Sequence, residues 1–243
     1  MSKISIIMTV IVLSLTVTAC KHEDDNGQIF PNAVTDVDGN KYDAVKIGDQ
    51  IWMKSNLRTK HFRDGQPIPK GDQNVYSHTA PYYYQPTSRE VPSYNKKTFG
   101  LYYNWPAVAD ARGLCPNGWH VPSDMEWTEL VNYVKSKPEF VYGPMSVYIV
   151  KSLASQLGWK ESSEEWCPGN NPEANNATGF SAYPAGSHLG AAFVSSGAVA
   201  SFWSSTEGED ILAWRRYMSY DGISISRYNM QKGDGLSIRC IHD

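Results

Sequence analysis

The chain has 243 residues, with 22 Lys and Arg against 25 Asp and Glu, for a net charge of −3 at neutral pH. That length suits one folded domain with long loops. The near-balanced charge and the lack of any long Lys/Arg run argue against a nucleic-acid partner, whose phosphates need a concentrated basic surface.

The N-terminus opens with Lys3, runs through an apolar stretch over residues 4–17, and places small residues before a cysteine in Val17-Thr18-Ala19-Cys20. This pattern predicts a lipoprotein signal peptide over residues 1–19 and a lipid anchor on Cys20. The apolar stretch is too short to cross a hydrocarbon core of roughly 30 Å as a helix. Residues 21–28 (KHEDDNGQ) lack the apolar side chains a core needs, so residues 20–32 read as a tether and 33–243 as the domain. The acidic cluster beside Cys20 resembles the surface-export signal of Bacteroidetes lipoproteins. It implies an outer-membrane protein, lipid-anchored and facing the cell exterior, where disulfides persist.

Turn residues over 34–40 precede an alternating strand over 42–47. A turn at Gly48-Asp49-Gln50 then leads into Ile51-Trp52-Met53, which predicts a β-hairpin. Residues 58–97 are proline-punctuated and loop-like, with tyrosines at Tyr76, Tyr82, Tyr83, Tyr84 and Tyr94. A long irregular stretch inside a domain is often functional. After Pro122, Ser123 and Glu126 have capping-box spacing, and Trp127, Leu130, Val131 and Val134 recur at helical intervals. A second helix is expected over 146–157. Strands over 212–219 and 223–228 flank a turn at Tyr220-Asp221-Gly222, and residues 236–241 alternate as a last strand with Ser237 and Arg239 outward. The order is α+β, with two helices packed on small antiparallel sheets.

Setting Cys20 aside leaves Cys115, Cys167 and Cys240. An inward Cys240 on the last strand favours a Cys115–Cys240 disulfide, with Cys167 as the odd thiol; three reduced, buried thiols are the alternative.

Several segments together resemble the Fibrobacter succinogenes major paralogous domain of secreted and lipid-anchored bacterial proteins. They are residues 36–57 (DVDGNKYDAVKIGDQIWMKSNL), 99–127 (FGLYYNWPAVADARGLCPNGWHVPSDMEW), 179–187 (GFSAYPAGS), 202–206 (FWSST) and 237–243 (SIRCIHD). That family is in turn similar to the C-type lectin-like fold, including formylglycine-generating enzymes and diversity-generating variable proteins. The resemblance implies chain ends meeting in a small sheet and long loops forming a ligand surface. It implies no settled activity.

No two of the six histidines have zinc-motif spacing, and no Ser occupies a G-x-S-x-G elbow. The Asp36-Val37-Asp38-Gly39-Asn40 run departs from a calcium loop at its sixth and twelfth positions, Lys41 and Ile47, and reads as a turn. The calcium-site triplets of C-type lectins are lacking, and no metal or cofactor is implied. The remaining constellation is aromatic and cationic: Tyr82, Tyr83 and Tyr84 in the loop, then Trp203, Arg215, Arg216, Tyr217, Tyr220, Arg227, Tyr228 and Asn229 near the C-terminus. Tyr, Trp and Arg dominate binding hot spots because they are large, stiff and amphipathic. In the variable-protein relatives the matching region carries the ligand surface. These residues are expected to bind an extracellular glycan or protein without catalysis. The alternatives are an enzyme built on the formylglycine-generating fold or a structural surface or fimbria-associated subunit.

Overall fold

The structure, a computed structural model, describes residues 27–72, 74–91 and 95–243. The leader, Cys20, the tether to residue 26, and Tyr94 lie outside the described residues. Among the described residues no helix is long and apolar enough to cross a membrane.

The architecture is α+β, with short helices and several small antiparallel sheets. Strands β1 (Ile29–Thr35), β2 (Lys41–Ile47) and β3 (Gln50–Met53) form a meander. β1 starts within the stretch assigned to the tether, and Phe30 packs on the core. The turn after β1 is held by Asp36, whose Oδ1 accepts the backbone N–H groups of Asp38 (3.0 Å) and Asn40 (2.9 Å). Between β2 and β3 the turn is only Gly48-Asp49, because Gln50 already pairs with Ile47. Gly48 has φ +61°, and a Cβ there would come within 2.9 Å of the Tyr133 ring, so both backbone and packing select glycine.

The proline-rich stretch contributes β4 (Tyr83–Tyr84), which pairs with β5 (Tyr102–Tyr103); α1 (Lys96–Phe99) lies between them. α2 (Trp105–Val108) and β6 (Trp119–His120) follow. α3 (Asp124–Ser136) has the capping box its sequence predicts, with both reciprocal Ser123–Glu126 bonds present. Its buried stripe is Trp127, Leu130, Val131 and Val134.

The second helix is a correction. α4 (Val150–Leu153) is one turn, not the three expected over 146–157. The carbonyls that would continue it are taken by an incoming strand of chain: Asn176, Thr178 and Ala182 donate their N–H groups to the oxygens of Lys151, Ser152 and Leu153. Ala154 turns extended and bridges Ala182, and Leu157 is left exposed.

β7 (Ser187–Leu189) and β8 (Ala192–Val194) form a hairpin. β9 (Val199–Glu207), β10 (Leu212–Ser219) and β11 (Ser226–Gln231) form a three-stranded sheet in the order β11-β10-β9. Its β10–β11 connection runs over 220–225, longer than the three-residue turn expected. β12 (Ile241–His242) inserts between β3 and β6, so the C-terminus closes the N-terminal meander into one sheet, β1-β2-β3-β12-β6.

Two apolar cores flank the last segment. One gathers Phe62, Tyr103, Trp203, Leu236 and Ile238; the other gathers Trp52, Trp127, Phe180 and Phe202. Trp52 and Trp127 meet at 4.8 Å between ring centroids. Each such fully buried side chain contributes roughly 1.5–3 kcal/mol from the apolar surface it removes from water. Cys115 and Cys240 are disulfide-bonded across 125 residues, and Cys167 is a buried free thiol whose Sγ–H donates to the Glu164 carbonyl. The last strand expected over 236–241 is a correction: only β12 (Ile241–His242) is a strand, and Leu236 and Ser237 make isolated bridges. Ser237 and Arg239, expected outward, are buried like Leu236, Ile238 and Cys240, because both sides of the segment are covered.

His120 fastens the C-terminus to α3. Its Nε2 meets Glu126 Oε1 and its Nδ1 meets Asp243 Oδ1, each at 2.7 Å. Burial opposes charge on this imidazole, but hydrogen bonds to the two carboxylates outweigh it and hold its pKa above the usual histidine value.

Candidate functional site

Along β10 successive side chains point to opposite faces of the sheet, so Arg215 and Tyr217 share one face and Trp214 and Arg216 the other. Cross-strand register puts Tyr228 directly opposite Arg215, with Trp203 on Arg215's other side. This face dips into the core at one end: Trp203 is fully buried, and its indole N–H donates to the Tyr103 carbonyl at 2.8 Å. At the other end it opens, and Tyr228 is 52% exposed.

Arg215 lies where the face opens. Its Nη1 donates to Ser201 Oγ at 3.0 Å, and its Cζ lies 5.0 Å from the Tyr217 ring centroid and 6.0 Å from that of Tyr228. The two tyrosine rings meet edge to face at 6.3 Å. A guanidinium so flanked is held by cation–π attraction and pre-organised. Nε is buried with no hydrogen-bond partner among the described residues. Burial draws the Arg215 pKa below its ordinary value, against the pull of Tyr217, Asp234 and Tyr228.

Sequence reasoning missed Asp234 and Tyr76 as site residues. Asp234 is buried, and its Oδ1 accepts the Gly190 N–H at 3.1 Å. Burial raises its pKa above the usual carboxylate range despite the Gly190 bond, Tyr76, Arg215 and His78. Tyr76 donates to Gln231 Oε1 at 2.7 Å, and its phenol is pushed up to about 12 by burial and then by Asp234. A Cβ on Gly233 would come within 2.7 Å of the Tyr76 ring, so the glycine lets the tyrosine loop settle on this turn. The Gly233-Asp234-Gly235 run was the available signal, but it reads locally as a turn.

The opposite face does other work, which corrects the expectation for the buried Arg216, while the Arg227 side chain stays 43% exposed. Arg216 is buried, and its Nη2 donates to the Asp124 carbonyl (2.8 Å), Asp124 Oδ1 (2.7 Å) and Thr128 Oγ1 (2.7 Å). Arg227 pairs with Asp124 Oδ2 at 2.7 Å and lies over the Trp214 ring. Both cations bind the N-terminus of α3, where a carboxylate also favours the helix dipole. Tyr220 packs on the second core, while Asn229 is exposed opposite Trp214.

The tyrosine triplet divides likewise. Tyr83 and Tyr84 are buried and Tyr82 is half-buried. Tyr84 stacks on the buried His188 at 4.0 Å, so β4 is a core strand, not a displayed loop. Trp203, Tyr83, Tyr84 and Arg216 are therefore framework, and Arg215, Tyr217 and Tyr228 remain as the converging, accessible set. Among the described residues no group of three or more His, Cys, Asp or Glu is arranged to hold a metal ion.

A family model described as the Fibrobacter succinogenes major domain matches residues 45–242. No curated protein and no solved structure matches the chain.

Proposed function

The chain belongs to the Fibrobacter succinogenes major domain family, and from that premise we propose that it is a cell-surface lipoprotein whose domain binds a ligand without catalysis. The single observation that carries the reading is the Arg215 guanidinium held between Tyr217 and Tyr228 on the open end of the C-terminal sheet. Such a patch offers aromatic stacking and a fixed donor fork, which suit a glycan or a polar protein surface. A C-type lectin-like fold is part of the proposal. It is supported by the first and last described strands lying in one sheet and by the Tyr76 loop packed against Gly233 just after β11. The anchor is proposed to be acylated Cys20 in the outer membrane, with the domain facing outward. Several acyl chains on one residue give durable attachment, since each buried methylene adds about 0.8 kcal/mol.

One preparation tests both halves. The Cys20→Ala chain is expected to leave the membrane fraction, and that soluble protein is expected to retain specific ligands on a glycan array or in a pull-down from the native surface. A Cys20→Ala chain still bound to membranes removes the anchor. Reproducible absence of any ligand removes the binding role.

A further inference from the structure

A cleft of about 800 Å³ opens beside the β1–β2 turn, between Lys41, Lys54, Arg58 and Lys97, and shares no lining residue with the Arg215 face. Its lining carries four cations and one carboxylate, Asp43, a local excess of three positive charges (four minus one) on a chain of net charge −3. Asp43 is already engaged, with Oδ1 accepting the Asn32 N–H at 2.8 Å. Among the described residues Lys41, Lys54 and Lys97 have no carboxylate within ion-pair distance.

Arg58 makes this more than a patch of surface lysines. It is only 8% exposed. Its Nη2 donates to the Lys41 carbonyl at 2.7 Å, its Cζ sits 4.3 Å from the Tyr42 ring centroid, and its backbone N–H donates to the Tyr42 hydroxyl. Tyr42 is fixed in turn by donating to Asp36. One side of the guanidinium is thus locked. Nε and Nη1, unbonded among the described residues and not sealed from solvent, are left to the cleft that Arg58 lines. A buried arginine without a carboxylate partner, aimed into a basic cleft, is a vacant anion fork. The ammonium of Lys96, beside Lys97, is held below its ordinary pKa chiefly by burial, with Lys60 and Arg58 adding to the shift and Asp38 and Asp36 opposing it.

We propose that this cleft binds an anionic sugar residue of a polysaccharide, through a carboxylate or sulfate ester placed on Arg58 and flanked by Lys54 and Lys97. Asn40, Ser55, Thr98 and Ser181 line the same cleft with amide and hydroxyl groups suited to sugar hydroxyls. It offers no long apolar floor for an acyl chain.

The test is a titration of the intact chain with polygalacturonate, dextran sulfate and neutral dextran as probes. One or both anionic polymers are expected to bind, their relative affinity telling carboxylate from sulfate, with binding weakening as salt is raised and neutral dextran inert. The Lys54→Ala/Lys97→Ala variant is expected to lose about tenfold or more, as removal of charge-assisted contacts implies. Lys135→Ala/Lys160→Ala, which removes the same charge from outside both this cleft and the Arg215–Tyr217–Tyr228 set, is expected to bind the anionic polymers as the natural chain does. Failure of both anionic polymers to bind at low salt overturns the proposal. So does binding that survives the Lys54 and Lys97 substitutions, or a single-stranded oligonucleotide binding as tightly as the sugars.

Discussion

Replacing Arg239 with Met is expected to cost the fold about 3–5 kcal/mol, because it leaves several buried hydrogen-bond acceptors without a donor. Arg239 is fully buried and touches no carboxylate. Its Nη1 donates to the carbonyls of Met53 (2.9 Å) and Phe180 (2.5 Å), and its Nη2 to Asn56 Oδ1 (2.9 Å) and the Ser181 carbonyl (3.0 Å). The guanidinium also lies 4.4 Å from the Phe180 ring centroid. Burial pulls its pKa down to about 9, which leaves it charged at neutral pH. Met would fill much of the volume yet orphan three carbonyls and Asn56. Each orphaned buried acceptor costs about 1–3 kcal/mol, partly offset because the charge no longer has to be desolvated. Asn56 carries the damage further, since its Nδ2 donates to the Phe99 carbonyl and Ser237 Oγ. Denaturant unfolding checks the figure. A midpoint equivalent to a loss under about 1 kcal/mol would mean that the network is dispensable.

Cys115→Ala with Cys240→Ala is the other large effect. The bond closes a loop of 125 residues, and in the chain-entropy model its loss relaxes the unfolded ensemble by roughly 5 kcal/mol. Both sulfurs lie inside the first core, so a smaller packing loss adds to it. Domains of this size have only about 5–15 kcal/mol in total, so the double variant should melt well below the oxidised chain or fail to accumulate. Calorimetry on the oxidised and reduced natural chain supplies a second readout free of the substitutions. Unchanged melting in both would show that the cross-link constrains nothing.

Legibility in the sequence followed how local the cause was. α3 was readable because the Ser123–Glu126 box and the Trp127–Val134 stripe act within one helix. The pairing of Cys115 with Cys240 was readable because strand alternation turns Cys240 inward and Cys167 lies in a polar loop. α4 was overread, since the groups that end it, Asn176, Thr178 and Ala182, arrive from more than twenty residues away. Alternation likewise pointed Ser237 and Arg239 outward; nothing local reveals that a second core covers that side. At the candidate site, residue type identified the right strands but could not divide them. Arg215 and Arg216 are neighbours in sequence, yet one meets tyrosines on an open face and the other holds Asp124. Tyr76 stood out only as one tyrosine of an irregular stretch and was not joined to Asp234, because their meeting needs a loop packed onto a glycine far along the chain.

The most direct test of the recognition face is amide hydrogen exchange on the intact chain, with and without a ligand recovered from the array. Slowed exchange is predicted along β10 and β11 and in the turn carrying Asp234, and it should vanish with Tyr217→Ala/Tyr228→Ala. Saturating ligand that leaves those amides unchanged, or protects only other parts of the molecule, would contradict the account.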